Sequence, residues 1–212
     1  MQRDFSRLNG YLDLLLPDVY ERMETVNHRM APDHIESALQ AYDWFESLGL
    51  KYDDVLDIGC ADGWMTEHFN RAGKNATGVT ISDIEVELCR QRCIEIVHAD
   101  MSFLPSASAA FDLVWCRDAI EHSVMPLIAL FEFNRVLRPG KYAFIVVPTP
   151  DYWVGASNHY SVLTDGGWRW LFKLAHFEVL DFLQTDSISG EMRYILQKVG
   201  EVPISRDAPL SP

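Results

Sequence analysis

The segment VLDIGCADGWMTEHF at 55–69 constrains the fold most. A short strand, Asp54–Ile58, passes into a turn holding Gly59 and Gly63. A helix-compatible tract from Trp64 to Arg71 follows and stops at Gly73. A continuous apolar strand needs cover on both faces, and a strand that turns straight into a helix supplies that cover in a parallel sheet. The same grammar repeats downstream. Ala76–Thr80 reads as a strand. Ser82-Asp-Ile-Glu85 is a capping box that starts a helix running to about Gln91. Ile94–Ala99 and Phe111–Cys116 read as strands, and Pro126–Val136 as a helix ended by the RPG turn at 138–140. Tyr142–Val147 is a further strand.

The flanks differ. Upstream, YLDLLLPDVYERM is helical on both sides of Pro17. Ile35, Ala38, Leu39, Tyr42 and Phe45 recur at helical spacing between Asp33 and Leu48, with Gly49 as a stop. After Pro150 a polar, aromatic loop (150–163) leads to a helix capped by Thr164. Phe177–Leu183 and Glu191–Gln197 are joined by the short DSISG connection. That leaves no room for a crossover helix, so they pair antiparallel. The expectation is an α/β fold with a doubly wound, mostly parallel seven-stranded sheet. An antiparallel C-terminal strand pair and an N-terminal helical cap complete it. One domain spans 1–212: the cap at 1–50, the core at 51–200 and a loose, proline-rich tail at 201–212.

Charge narrows the function. With 18 basic and 31 acidic residues the formal charge is −13, which opposes extended binding to a nucleic-acid backbone. No apolar run approaches the roughly 18 residues that span a bilayer, and MQRDFSRLNG lacks a signal-peptide core. Cys60, Cys89, Cys93 and Cys116 show no zinc-site spacing, which fits reduced thiols in a cytoplasmic protein.

In an open α/β sheet, ligands bind beyond the carboxyl ends of the strands, where strand order reverses. Gly59 and Gly63, lacking Cβ atoms, let a ligand approach the backbone, and helix N-terminal amides face an anionic group. A side chain at 59 is expected to fill ligand space and spare the fold. The dinucleotide fingerprint G-x-G-x-x-G, counted from Gly59, fails at Trp64, whose bulk blocks close helix–strand packing. What remains is D-x-G-x-A-x-G: Asp57, Gly59, Ala61 and Gly63.

Five segments then follow in order: DIGCADG (57–63), GVTIS (78–82), HADMSFLP (98–105), FDLVWCRDAIEH (111–122) and RVLRPG (135–140). The series resembles the class I S-adenosylmethionine-dependent methyltransferases of the small-molecule type, well over 50–150 and loosely over 150–200. The resemblance implies S-adenosylmethionine as cofactor. Asp57, Gly59, Cys60, Ala61 and Gly63 would hold its methionine end. Thr80, Ile81 and Ser82 would flank the ribose and adenine. Asp100 would accept a hydrogen bond from the adenine amine, with the Met101 amide facing the ring. Cys116 and Arg117 would line the sulfonium side. The family usually has an acid where Thr80 stands. GVTIS is similar to the corresponding strand end of cyclopropane-synthase and sterol-type methyltransferases. Asp83 either replaces the missing acid or serves only as a helix N-terminal acid favoured by the dipole.

A second polar cluster follows the fourth strand: Asp118, Glu121 and His122. His159, in the N-H-Y sequence at 158–160, follows the fifth. Both loops leave the same side of the sheet. These oxygen and nitrogen donors suit a divalent cation such as Mg²⁺, Mn²⁺ or Fe²⁺. The D-x-x-E-H…H order is similar to the E-x-x-E-H…H metal site of small-RNA 2′-O-methyltransferases and to the E-x-x-E-H of ubiquinone-pathway O-methyltransferases, with Asp118 one methylene shorter. The alternatives are catalysis by His122 or His159 with Glu121, or loop packing alone. A base or a cation favours a hydroxyl acceptor, whose proton must leave. In PDYWVGASNHYS (150–161), Tyr152, Trp153, His159 and Tyr160 form either an acceptor pocket or a hydrophobic latch. His98 and His176 read as structural. The expected function is methyl transfer to a small molecule, with a hydroxyl oxygen as acceptor. The competing readings are a noncatalytic cofactor-binding or interaction protein, and a metal-dependent RNA 2′-O-methyltransferase, which the negative charge disfavours.

Overall fold

A computed structural model describes residues 6–23, 32–153, 158–185 and 190–202. Two helices, α1 (Ser6–Met23) and α2 (Pro32–Ser47), precede β1 (Asp54–Ile58), α3 (Trp64–Arg71), β2 (Asn75–Thr80), α4 (Asp83–Gln91) and β3 (Ile96–His98). Then come β4 (Phe111–Arg117), a 3₁₀ turn (Ile120–His122), α5 (Pro126–Val136), β5 (Leu137–Pro148) and α6 (Pro150–Trp153). The series ends with α7 (Asp165–Leu174), β6 (Phe177–Gln184) and β7 (Glu191–Lys198). The seven strands lie in the order β3-β2-β1-β4-β5-β7-β6. β1 to β5 run parallel, while β7 lies antiparallel between β5 and β6. This is the expected doubly wound sheet with its antiparallel C-terminal pair. Strand order reverses between β1 and β4, so the crevice opens over the ends of those two strands.

Strand period sorts the core. Leu113, Trp115, Phe144 and Val146 face Ala38, Ala41 and Phe45 of α2. Trp115 stacks on Phe144 at 4.0 Å between ring centres, with Phe45 edge-on to both. The alternate residues Val114, Cys116, Ile145 and Leu196 face Leu130 and Phe133 of α5 and Trp168 and Phe172 of α7. Both faces are thus dry, as a central parallel sheet requires.

Three local expectations are corrected. Helix α5 ends at Val136 and passes directly into β5, so the RPG segment is a bulge within the strand and not a turn ahead of it. Leu137 pairs with Phe111, and pairing resumes at Leu113 with Tyr142. Arg138 pins the bulge by bridging Asp54 (2.8 Å) and Asp112 (2.9 Å). β3 is shorter than expected and starts at Ile96. Cys93, at φ 56°, closes α4, and the Ile94 amide bonds back to Cys89 O at 3.0 Å. The loop after Pro148 contains one helical turn, α6. The loose tail lies, from 203 onward, outside the described residues, as do the side chains of Tyr152 and Trp153. Among the described residues no helix is long and apolar enough to cross a membrane.

Candidate active site

The turn after β1 alternates left-handed residues: Gly59 (φ 71°), Ala61 (φ 49°) and Gly63 (φ 77°). The amides of Gly59 and Cys60 both bond to Val79 O, at 2.9 and 3.1 Å, and tie the turn to β2. A Cβ on Gly59 would lie 2.5 Å from the Ala119 Cβ, and one on Gly63 would lie 2.5 Å from Ile94 Cδ1. Both glycines are therefore demanded by the protein's own packing. This corrects the expectation that a side chain at 59 would spare the fold. Asp57 is buried and accepts a 2.6 Å bond from Thr66 Oγ1. Burial pushes its carboxyl up to about 7, against the lowering effect of the Thr66 bonds.

At the ends of β2 and β3 lies a cleft of about 410 Å³ lined by Tyr20, Glu21, Ile81, Asp83, His98, Ala99 and Asp100. That volume falls within the range of small-ligand pockets. Asp100 Oδ1 takes the Ser102 amide at 2.6 Å, and Oδ2 takes the Tyr20 hydroxyl at 3.3 Å, so α1 reaches across the cleft. His98, expected to be purely structural, lines the cleft, with Nε2 2.9 Å from Ile81 O. His176 stands away from the cleft, in the turn between α7 and β6. Met101 is half-buried and packs on the core. Ser82 caps α4 by accepting the Glu85 amide at 3.2 Å. The Thr80 hydroxyl accepts the Ser82 amide at 3.1 Å and donates to the Glu85 carboxylate.

At the end of β4, Cys116 is fully buried, and burial raises its thiol well above the usual range. The Arg117 side chain is 7% exposed; Nη1 lies 2.9 Å from Asp118 Oδ2, and Nη2 donates to Glu191 Oε1 at 3.0 Å. Glu191 also takes Ser37 Oγ at 2.8 Å, and Arg193 Nε and Nη2 at 2.8 and 2.7 Å. Burial pushes the Glu191 carboxyl up, but Arg117, Ser37 and Arg193 together hold it below the ordinary range. Sequence reasoning missed Glu191, Arg193 and Ser37. The available signal was two charges two apart in the otherwise strand-like EMRYILQ, which places both on one face.

The second cluster forms. The Tyr160 and Ser161 amides both bond to Glu121 O at 2.9 Å, and His122 Nδ1 lies 2.8 Å from Asn158 O. These bonds zip the 3₁₀ turn to the loop after β5. They bring the His122 and His159 rings to 4.8 Å, edge to face. One donor atom each from Glu121, His122 and His159 lies within 4.8 Å of the others. Asp118 stands outside this group. At φ 50° it turns to Arg117, which corrects the four-residue set. Glu121 is 2% exposed, and its Oε2 has no partner among the described residues. Burial, with Asp118 adding to it, raises the Glu121 carboxyl well above the usual range. Burial lowers His122; burial and the neighbouring His122 lower His159 to about 4. Both imidazoles are thereby biased toward the neutral form.

Residues 56–145 match the family described as a methyltransferase domain. The malonyl-[acyl-carrier protein] O-methyltransferase of Erwinia billingiae is 33% identical over 93 residues, covering 41% of this chain and 35% of that protein. The ubiquinone biosynthesis O-methyltransferase of Aromatoleum aromaticum is 30% identical over 110 residues, covering 48% and 47%. Over residues 56–145 the chain is similar to class I S-adenosylmethionine-dependent methyltransferases. The chain spans less than half the length of those two relatives. In fold it is similar to the [4+2]-cyclase SpnF, with a TM-score of 0.65 at 17% identity, over 91% of this chain and 96% of the cyclase. The matched segment runs from β1 into β5. It contains the glycine turn, Asp100 and the 3₁₀ turn, and leaves out α1, His159 and Glu191.

Proposed function

We propose that the chain moves a methyl group from S-adenosylmethionine to a hydroxyl oxygen of a small molecule in the cytoplasm. The observation that carries this reading is the convergence of Glu121, His122 and His159 beside the crevice over β1 and β4. The cofactor supplies an electrophilic methyl on sulfur. The strand-to-helix turn from Asp57 to Gly63 receives its methionine end, and Asp100 accepts the adenine amine. Ile81 and Met101 flank the base, and the buried ends of β4 at Cys116 and Arg117 wall the sulfonium side. His159, neutral at pH 7, takes the acceptor's proton, with His122 holding its ring in place. Both relatives above are O-methyltransferases by name. The net charge of −13 favours a small acceptor over a polynucleotide, and four free thiols suit a reducing compartment.

A second reading has its own observation. The same three donors lie close enough to bind one Mg²⁺, Mn²⁺ or Fe²⁺ ion, and neutral imidazoles are ready ligands. Glu121 would have to release its proton on binding. The fold itself does not decide the chemistry, since a cyclase shares it.

Calorimetry with S-adenosylmethionine and S-adenosylhomocysteine tests the reading, and failure to bind either one sinks it. Asp100→Ala is expected to weaken both by about 1–3 kcal/mol, the scale of a lost charge-assisted hydrogen bond. His159→Ala is expected to lower turnover by about 10²–10⁴-fold while leaving S-adenosylhomocysteine affinity nearly unchanged. Chelator should then have no effect; loss of turnover on chelation, restored by added cation, would move the assignment to the metal reading.

A further inference from the structure

Cys60, in the turn after β1, and Cys89, in α4, are both buried and share a small cluster with Ile94. Their sulfur atoms converge on one acceptor. Ala61 O takes the Cys60 thiol at 3.8 Å and the Cys89 thiol at 3.5 Å. Room for the two sulfurs comes from missing side chains. A Cβ on Gly78 would lie 2.7 Å from Cys60 Sγ, and one on Gly63 would lie 3.0 Å from Cys89 Sγ. Packing alone asks for small apolar atoms here and gives no reason for two thiols on one carbonyl.

The two thiols are unequal. The hydrogen bond between them raises Cys60 and lowers Cys89; Arg92 lowers Cys89 further, against burial and the charges of Glu85 and Asp62. Cys89 is the readier thiolate and Cys60 the proton holder, an asymmetry that suits disulfide formation. The carbonyl they share belongs to a residue in the left-handed region, Ala61 at φ 49°. A non-glycine residue keeps such a backbone only where its surroundings fix it, and two S–H donors on its carbonyl help to do so.

We propose that Cys60 and Cys89 are a reversible oxidation site, whose disulfide releases the Ala61 carbonyl and loosens the turn between β1 and α3. A hydroperoxide is the oxidant. The thiolate attacks one peroxide oxygen and becomes a sulfenic acid; the O–O bond breaks, and the leaving oxygen takes the thiol's proton. The second thiol attacks that sulfur, forms the S–S bond and releases water. Two thiols and one hydroperoxide give one disulfide, one water and one alcohol, with two electrons passing from sulfur to oxygen. Neither sulfur then carries a hydrogen to donate to Ala61 O. Cys60 is 5% exposed and Cys89 not at all, so the oxidant is a small one that enters past Cys60. In a reducing compartment the bridge is transient, and a dithiol reverses it.

The test uses the full chain with Cys93→Ser, which removes the exposed thiol. Hydrogen peroxide should take two hydrogens from the intact mass and link the peptides that carry Cys60 and Cys89. Amide hydrogen exchange across 59–63 should then speed up by about 10-fold, the scale of one hydrogen bond lost from the turn. Dithiothreitol should undo all three changes. Cys89→Ser in the same background should show none of them; if that variant does not fold, the linked peptides and exchange rates of its parent decide. The effect on ligand rests on the cofactor reading above: linked protein should bind S-adenosylhomocysteine about 10-fold more weakly than reduced protein, on the same scale. Reduced protein that binds none would remove that reading and leave the disulfide to be judged by the link and the exchange. A folded protein that forms no Cys60–Cys89 link, or a link that leaves exchange at 59–63 unchanged, would overturn the proposal.

Discussion

Glu191→Ala is expected to lower the unfolding free energy by about 3–5 kcal/mol, the cost of removing one partner from a buried ion pair. At roughly 2–4 °C per kcal/mol for a chain of this size, the melting temperature should fall by about 6–20 °C. The cause is specific. Glu191 is 1% exposed and receives Arg117, Arg193 and Ser37. Its loss takes the carboxylate from the buried Arg193 and leaves Arg117 with Asp118. Ser37→Ala removes only one neutral donor to the same carboxylate and should cost about 0.5–1.5 kcal/mol. The network also fixes a pH dependence. The folded Glu191 carboxyl lies below its ordinary range, so its stabilisation is present above about pH 4.5. It is lost as pH falls through the folded value. The gap between wild type and Glu191→Gln should accordingly close in acid. Melting curves that superimpose at pH 7 would remove the network from any account of stability.

The second large effect is at Gly59. Gly59→Ala is expected to cost about 2–5 kcal/mol, combining roughly 1–2 for a left-handed alanine with roughly 1–3 for overpacking. The steric part has one named source, the Ala119 Cβ 2.5 Å away. Adding Ala119→Gly should therefore recover about half of the loss in denaturant unfolding, while the backbone part remains. Ala61 supports that division, since it holds φ 49° two residues later with an ordinary side chain. Costs that simply add in the double variant would place the strain elsewhere.

Much of this fold was legible because its signals are local. Val55–Ile58, Gly63 and Trp64 declare strand, turn and helix within a dozen residues, and the Thr164 and Ser82 caps fall where the sequence puts them. The meeting of Glu121 and His122 with His159 followed from two parallel strands ending on the same side. What escaped depends on contacts between distant segments or on side-chain direction. Ser37 and Glu191 meet only after the whole sheet is assembled. Asp118 turns to Arg117 because of its left-handed backbone, which residue type alone does not specify. Glu85 looked like half of a capping box, and its carboxylate instead serves the end of the preceding strand. The bulge at Arg138 depends on Asp54 and Asp112 lying beneath it.

The strand order also sets a sequence of events during synthesis. β6 leaves the ribosome before β7, yet β7 takes the inner position beside β5, and β6 pairs only with β7. The β5 backbone facing that position, with Ala143, Ile145 and Val147 along it, therefore stays without its partner until residues 191–198 have been made. An open row of strand donors and acceptors invites pairing with other chains. The period of greatest danger for the nascent protein thus comes late, when most of the parallel part of the sheet, β1 to β4, can already have formed.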